Sequence, residues 1–186
     1  MPVEIKAIAY HLPERVVTND FLKEENPAWD MDFAETRAGV LQRHIADKDE
    51  TALDLAYLAC QKLFRENPDL QSEIDGIIFC TQSADHIMPP NSCILHGKLD
   101  LPDDVFTFDF NLACSGYIYG LALAQGLVDS GSASNILLVT ADTYSKYINE
   151  RDRATRILFG DAAAVSWIVG STSTQRIVDI QCSTSG

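Results

Sequence analysis

Several features that would assign a function quickly are missing from this sequence. Its five cysteines are an odd number and form no C-x-x-C pair, which favours free thiols in a reducing cytoplasm. The four histidines are scattered, so no metal-ligand cluster is visible. No apolar run approaches the roughly 20 residues of a membrane-spanning helix, and residues 1–14 lack the basic and apolar regions of a signal peptide. We therefore expect a cytoplasmic chain with no metal site and no membrane partner.

Positive charge is scarce as well. The 186 residues include 14 lysines and arginines against 27 acidic residues, which gives a formal net charge of -13. Such a chain is poorly suited to the phosphate backbone of nucleic acids or to an anionic membrane surface. With 46% hydrophobic residues, it can still bury a sizeable core. The composition indicates an acidic globular protein and argues against nucleic acid as a partner.

The most informative stretch is residues 105–128, and no charged residue lies between Asp109 and Asp129. Residues 105–110 are rich in β-branched and aromatic types, which is typical of a strand. From Cys114 onward, small and large apolar residues are interleaved over a length sufficient for four helical turns. Because this pattern is apolar on all faces, it predicts a buried helix. Gly131 is well suited to end that helix in a left-handed conformation.

Cys114 lies where this strand gives way to this helix. The first turn of a helix has unpaired N–H groups and the positive end of the helix dipole, which favour a thiolate. The same N–H groups can stabilise the oxyanion that forms when a thiolate attacks a carbonyl. The sequence pattern alone also allows a second interpretation, in which Cys114 is a small buried core residue.

Strand and helix patterns alternate along the rest of the chain. Apolar positions at helical spacing predict an amphipathic helix over residues 50–65, and a further helix is expected over residues 91–99. Short apolar runs predict the strands, which we place at residues 3–10, 74–81, 135–140 and 176–182. This alternation is typical of an α/β fold in which parallel strands are joined through helices.

The segment N-L-A-C-S-G-Y-I-Y-G at residues 111–120 resembles the nucleophile segment of the β-ketoacyl-ACP synthase III family of thiolase-fold condensing enzymes. Further matches are E-T-R-A-G-V at 35–40, D-R-A-T at 152–155 and F-G-D-A-A-A-V at 159–165. The resemblance implies that residues 1–186 form one N-terminal thiolase-like half-domain. Its expected fold is a three-layer α/β structure with a mixed, mostly parallel sheet and a buried central helix.

The same resemblance implies an enzyme mechanism. Cys114 would be the catalytic nucleophile that takes an acyl group from acyl-CoA, with its own N–H as an oxyanion donor. The acylated enzyme would then condense that group with malonyl-ACP, which starts fatty acid biosynthesis. Acyl-CoA would be a substrate, and no cofactor would be bound permanently.

Three residues are implied as contacts for CoA. Arg37 matches the arginine that contacts the CoA phosphate region, to which a planar guanidinium is suited. Phe33 stands where the family carries a tryptophan that stacks on the adenine, and Arg153 matches the arginine that packs against the adenine. Without the resemblance, Arg37 and Arg153 are equally interpretable as solvated surface charges.

The resemblance also implies an acyl pocket and a dimer. Met88 matches the loop residue that reaches across a homodimer interface into the partner's acyl pocket, and Phe159 would line the pocket. The simpler interpretation of Met88 is a side chain packed under its own loop. The family forms homodimers through the strand before the nucleophile helix, which corresponds to residues 105–110.

No residue of this chain matches the histidine and asparagine of the family's second half, which act in decarboxylation and enolate stabilisation. We therefore expect this chain by itself to be inactive in condensation. Two alternatives stay open. One is a related acyltransferase, such as a polyketide, quinolone-type or hydroxymethylglutaryl synthase, which the substitutions at Phe33, Ala38 and Met88 would allow. The other is a non-catalytic partner subunit.

Overall fold

The computed structural model describes residues 2–185. Strands and α-helices follow one another in the order β1 (Val3–His11), β2 (Val16–Thr18), α1 (Asn19–Glu25), β3 (Gln42–His44), α2 (Ala52–Glu66), β4 (Gly76–Cys80), α3 (Asn91–Lys98), β5 (Phe106–Phe110), α4 (Gly116–Ser130), β6 (Asn135–Asp142), α5 (Arg153–Arg156) and β7 (Ala162–Gly170). Short helical turns occur at Phe33–Arg37, Leu70–Ser72, Ala113–Ser115 and Tyr144–Tyr147. The predicted α/β class is confirmed.

Five strands form one mixed sheet in the order β1-β7-β6-β4-β5. Strand β4 pairs in parallel with both β5 and β6, whereas β7 is antiparallel to both of its neighbours, β1 and β6. Four strands therefore point in one direction and β7 alone runs against them, so the prediction of a mixed, mostly parallel sheet is confirmed. The carboxyl ends of β4, β5 and β6 meet at one edge, where clefts form in sheets of this kind.

Helices cover both faces of the sheet, which gives the predicted three layers. On one face, α2 and α3 bury a core that includes Leu55, Leu63 and Leu95. Thr51 caps α2 in a capping box, because its hydroxyl accepts from the Asp54 N–H at 3.2 Å while the Asp54 carboxylate accepts from the Thr51 N–H. On the other face, α4 packs on β4 and β6.

Helix α4 is buried on one face only. Gly116, Gly120, Leu121 and Ala124 are buried against the sheet, whereas Ile118 is 44% exposed. Leu123 is 40% exposed. The prediction of a fully buried helix is therefore wrong for this chain, because no element among residues 2–185 covers the outer face of α4. The helix does end at Gly131 with a φ of 72°, so the predicted left-handed cap is confirmed.

The predicted strand at residues 176–182 is absent, and residues 171–185 have irregular backbone. Ile177 and Ile180, which are three residues apart, pack against the core beneath α4, whereas Val178 is 85% exposed. A spacing of three does not match the alternation of a strand. The segment is held by the Ile177 N–H, which donates to the Val3 carbonyl at 2.8 Å.

Candidate active site

Cys114 lies at the middle of the one-turn helix Ala113–Ser115, between the end of β5 and the start of α4. Its side chain is exposed, so the interpretation of Cys114 as a buried core residue is wrong. The residue before it, Ala113, has a φ of 48°, which is uncommon for a residue with a β-carbon. Regular α-helix begins at Gly116, two residues after the cysteine. The cysteine thus projects from a sharp strand-to-helix turn.

The turn is attached to the neighbouring strand β4. The Ser115 hydroxyl donates to the Leu112 carbonyl at 2.8 Å, which closes the turn on itself. The Leu112 amide lies near the sulfur of Cys80, the last residue of β4, and lowers the pKa of that thiol. Gly116 lies against the same sulfur, since a β-carbon at residue 116 would be 2.3 Å from it. A glycine is therefore required at this close approach.

The carboxylate of Asp142 connects two loops at the carboxyl end of the sheet through hydrogen bonds. Asp142, at the end of β6, accepts from the Gln82 N–H at 2.7 Å and from the Ser83 N–H at 3.1 Å. Its same oxygen accepts from the hydroxyls of Thr81 and Ser83 at 3.1 and 3.0 Å. On β5, Asp109 accepts from the first two amides of α3 at 2.7 and 2.8 Å. Both aspartates position the loops around the cysteine turn, and sequence reasoning had assigned them no role.

The two N-terminal residues predicted to contact CoA share the turn Phe33–Arg37. Phe33 opens this turn and is 49% exposed, and Arg37 closes it with an exposed side chain. Arg153 begins the short helix α5, which Asp152 caps through the Thr155 amide at 3.3 Å. The hydroxyl and amide of Thr155 lower the pKa of Asp152. Arg153 is also exposed.

The two predicted pocket residues are exposed as well. Met88, in the loop between β4 and α3, is 84% exposed, so its interpretation as a side chain packed under its loop is wrong. Phe159 is 43% exposed and packs edge-on against Tyr144, with 5.5 Å between ring centroids. All six predicted site residues therefore lie at the surface of the described chain, on four separate segments.

A cleft of about 540 Å³ opens between the segments that follow β1 and β6. Phe159 is the one predicted site residue that lines this cleft. The other lining residues include Arg43, Arg151 and Arg156. Arg43 is buried and donates to the carbonyls of Val17 and Ile157 at 3.1 and 2.8 Å. Burial and the nearby Arg156 lower the pKa of Arg43. This arginine connects β2 to the segment that leads to Phe159.

The segment before β7 is fixed by a buried carboxylate. Asp161 accepts from the amides of Ala46 and Ser145, both at 2.8 Å, and from the Ser145 hydroxyl at 2.5 Å. Gly160 lies against β3, because a β-carbon there would be 2.7 Å from the His44 carbonyl oxygen. The long sequence separations of these contacts explain why the sequence pattern did not predict them.

Comparison with known proteins gives the family. The family described as 3-oxoacyl-(acyl-carrier-protein (ACP)) synthase III matches residues 108–186, which include Cys114. The beta-ketoacyl-(acyl-carrier-protein) synthase III of Fusobacterium nucleatum is 39% identical over 169 residues, which cover 89% of this chain and 50% of that protein. The chain belongs to the 3-oxoacyl-ACP synthase III family.

Solved structures agree with this family and fold. A crystal structure of a 3-oxoacyl-(acyl-carrier-protein) synthase III superposes with a TM-score of 0.89 at 42% identity, covering 95% of this chain and 52% of that one. The priming β-ketosynthase of the R1128 polyketide pathway superposes with a TM-score of 0.84 at 26% identity, covering 92% and 51%. The fold is therefore that of a thiolase-like half.

This member of the 3-oxoacyl-ACP synthase III family spans about half the length of the curated relatives it matches. Within residues 2–185, no helix is both long enough and apolar enough to span a membrane.

Proposed function

We propose that this chain is the N-terminal half of a cytoplasmic 3-oxoacyl-ACP synthase III, in which Cys114 takes an acyl group from acyl-CoA at the start of fatty acid biosynthesis. The observation that carries the proposal is the exposed Cys114 on a sharp strand-to-helix turn, in a chain of this family. A nucleophile has to be accessible and held in one orientation, and this turn meets both requirements.

The first step is a thioester exchange. The Cys114 thiol loses its proton, and the thiolate attacks the carbonyl carbon of acyl-CoA. The negative oxygen of the tetrahedral intermediate is stabilised by the N–H of Cys114, one of the amides at the head of the turn. The carbon–sulfur bond to CoA then breaks, and the released CoA thiolate takes up a proton. The products are S-acyl-Cys114 and free CoA.

Acyl-CoA is held in this proposal by residues on the exposed segments. Arg37 binds the phosphate region of CoA, and Phe33 and Arg153 contact the adenine from two sides. Their exposure leaves the guanidinium groups and the ring free to make these contacts. Met88 and Phe159 shape the acyl pocket. The CoA is a substrate, and the proposal includes no permanently bound cofactor.

The condensation step needs residues beyond those of this chain. Malonyl-ACP loses carbon dioxide, and the resulting carbanion attacks the carbonyl of S-acyl-Cys114. The new carbon–carbon bond displaces the Cys114 thiolate, which regains a proton, and 3-oxoacyl-ACP leaves. Decarboxylation requires hydrogen-bond donors to the developing enolate, which we assign to the second half of the protein. We also propose a homodimer through β5, an edge strand of the sheet whose Phe106 is 44% exposed.

Intact-mass spectrometry after incubation with acetyl-CoA tests the acylation step. We expect the mass of one acyl group to be added to the chain and to be absent from Cys114→Ala. The exposed Cys93 and Cys182 stay in that variant, so an adduct on either would persist. The proposal is wrong if the adduct persists in Cys114→Ala, or if no donor in a series of short and medium acyl-CoAs gives an adduct.

A priming ketosynthase of polyketide biosynthesis is the second candidate. It is favoured by the similarity to the R1128 priming enzyme and by the residues that differ from the usual family pattern, Phe33, Ala38 and Met88. These differences lie in the proposed donor site, so they would change the donor and leave the role of Cys114 intact. Preferential acylation by a longer acyl-CoA over acetyl-CoA would support this candidate.

A further inference from the structure

We propose that Cys80 is a positioning residue whose sulfur fixes the turn that carries Cys114. This inference rests on the proposed role of Cys114 as the nucleophile. The sulfur contacts the turn at two points, residue 112 and residue 116, which are two residues before and two residues after Cys114. A single buried atom therefore holds both ends of the segment on which the nucleophile sits.

The first contact is polar. The Leu112 amide lies close enough to the Cys80 sulfur to lower the pKa of its thiol, and Leu112 is 42% exposed. Cys80 itself is only 4% exposed, so this amide points inward from a residue that lies at the surface. Removing the sulfur would leave the Leu112 amide to bond with water, so the turn would lose its polar contact to β4.

The second contact is steric. The sulfur is so close to Gly116 that a β-carbon there would lie 2.3 Å from it, whereas the same β-carbon would be 3.7 Å from the Cys80 β-carbon. The sulfur is therefore the nearest neighbour of the first residue of α4, and the Phe110 ring lies 3.7 Å from the same β-carbon position. Without it, the start of the helix can move toward β4.

The turn needs such support because its backbone is strained. Ala113, between the two contacts, has a φ of 48°, and a residue with a β-carbon adopts this conformation only when its surroundings hold it there. The strand before it is fixed by the register of Cys80 opposite Phe110 and by the Thr81 amide, which donates to the Phe110 carbonyl at 3.2 Å. Beyond Phe110, Cys80 contacts this part of the chain again at Gly116.

Cys80 acts here as a neutral thiol. Burial raises its pKa, with a smaller contribution in the same direction from the Asp142 carboxylate, and the Leu112 amide opposes both. The sulfur therefore offers a neutral acceptor and fills space, whereas the proposed function assigns the chemistry to the accessible Cys114.

The test compares the alkylation of Cys114 by iodoacetamide in the wild-type chain, Cys80→Ala and Cys80→Ser, followed by peptide mass spectrometry from about pH 6 to about pH 9. The rate at Cys114 is divided by the rate at Cys93 in the same sample. We expect this ratio and its dependence on pH to change in Cys80→Ala, by roughly fivefold in the ratio. Cys80→Ser should restore most of the wild-type profile, because its hydroxyl can accept from Leu112.

An unchanged ratio and pH profile in a folded Cys80→Ala would overturn the proposal, as would a serine variant no closer to wild type than alanine. Protection of the buried Cys60 reports that each variant is folded. If Cys80→Ala unfolds, hydrogen exchange measured by NMR on the wild-type chain tests the contact instead. The Leu112 amide should exchange at least tenfold more slowly than a solvent-exposed amide. Exchange at the rate of an exposed amide would contradict the contact.

Alkylation needs no acyl-CoA, so the two proposals can fail separately. A changed alkylation profile together with no acylation of the wild-type chain would reject the proposed function and retain the positioning of Cys114. Acylation of Cys114 together with an unchanged alkylation profile in Cys80→Ala would support the proposed function and reject the positioning role of Cys80.

Discussion

Gly116 lies directly against Cys80, and a β-carbon at residue 116 would be 2.3 Å from the Cys80 sulfur. One turn later, a β-carbon at Gly120 would be 2.5 Å from a methyl carbon of Leu138 on β6. The two glycines therefore let helix α4 approach the sheet closely along one line. This close packing sets where the helix starts, and with it the position of the turn that holds Cys114.

Replacing Gly116 by alanine should destabilise the chain by about 1–3 kcal/mol, the usual cost of adding a methyl group to a packed core. Gly126→Ala is the matched control on the same helix, because a β-carbon there meets no atom within 4 Å. Since alanine favours helix over glycine, this control should gain up to about 1 kcal/mol. Urea unfolding followed by circular dichroism measures both changes.

The cost of Gly116→Ala should fall when Cys80 is also alanine, since the new methyl group then meets the residue-80 β-carbon at an ordinary 3.7 Å. A double-mutant cycle isolates this coupling. Equal costs in both backgrounds would show that the sulfur is not the obstacle.

The five cysteines should separate into two classes on alkylation. Cys93, Cys114 and Cys182 are exposed, whereas Cys60 and Cys80 are buried. Burial raises the pKa of the Cys60 thiol to about 12, so the reactive thiolate is almost absent near pH 8. Intact mass after brief treatment with iodoacetamide should show modification of the three exposed thiols and of all five after unfolding. Rapid modification of Cys60 in the native chain would contradict this packing.

Arg37→Ala and Arg153→Ala should weaken the use of acyl-CoA. A hydrogen bond between a guanidinium and a phosphate contributes about 1.5–3 kcal/mol, so the acetyl-CoA concentration for half-maximal acylation of Cys114 should rise about 10- to 100-fold in Arg37→Ala. Arg65→Ala, which removes an exposed arginine at the end of α2, is the control and should leave that concentration unchanged. Equal effects in all three variants would indicate a general charge effect in place of a CoA site.

Local signals in the sequence were sufficient for much of this fold. The amphipathic α2, the left-handed Gly131 and the junction at Cys114 all depend on residues within one or two turns of each other. Such short-range preferences are readable without the tertiary structure. The family resemblance then supplied the three-layer arrangement.

Features fixed by distant contacts were not predictable in this way. Asp142 accepts from amides 59 and 60 residues away along the chain, and Asp161 accepts from amides 16 and 115 residues away. The burial of the outer face of α4 was predicted wrongly, because an apolar helix sequence does not show which element packs against that face. Residues 176–182 have strand composition, yet the two residues that pack against the core, Ile177 and Ile180, are three positions apart and only partly buried.

Acid should weaken the attachment of the segment after β7 to β1. The ammonium of Lys6, followed by the hydroxyls of Ser171 and Ser173, lowers the pKa of Glu4 from 4.5 to about 2. The ionised carboxylate is therefore favoured in the folded state. Its contribution to stability is complete above pH 4.5 and is lost as the pH falls toward about 2.

Glu4→Gln removes this titration while keeping the shape of the side chain. The difference in urea midpoint between the wild-type chain and this variant should be largest above about pH 5 and should shrink toward about pH 3. A difference that stays constant over this range would show that Glu4 does not titrate between the folded and unfolded states as inferred.

The acylated chain should not complete the condensation by itself. Attack on S-acyl-Cys114 requires a carbanion from malonyl-ACP, and forming it depends on donors placed against the developing negative oxygen. The surface around Cys114 is open in this chain, and the outer face of α4 is uncovered, so water would compete with any such donor. Mixing acylated chain with malonyl-ACP should therefore leave the acyl group on Cys114 and release no carbon dioxide, as followed by intact mass and labelled malonate. An intact relative of the family serves as the positive control, and 3-oxoacyl-ACP formed by the chain alone would show that the second half is not needed.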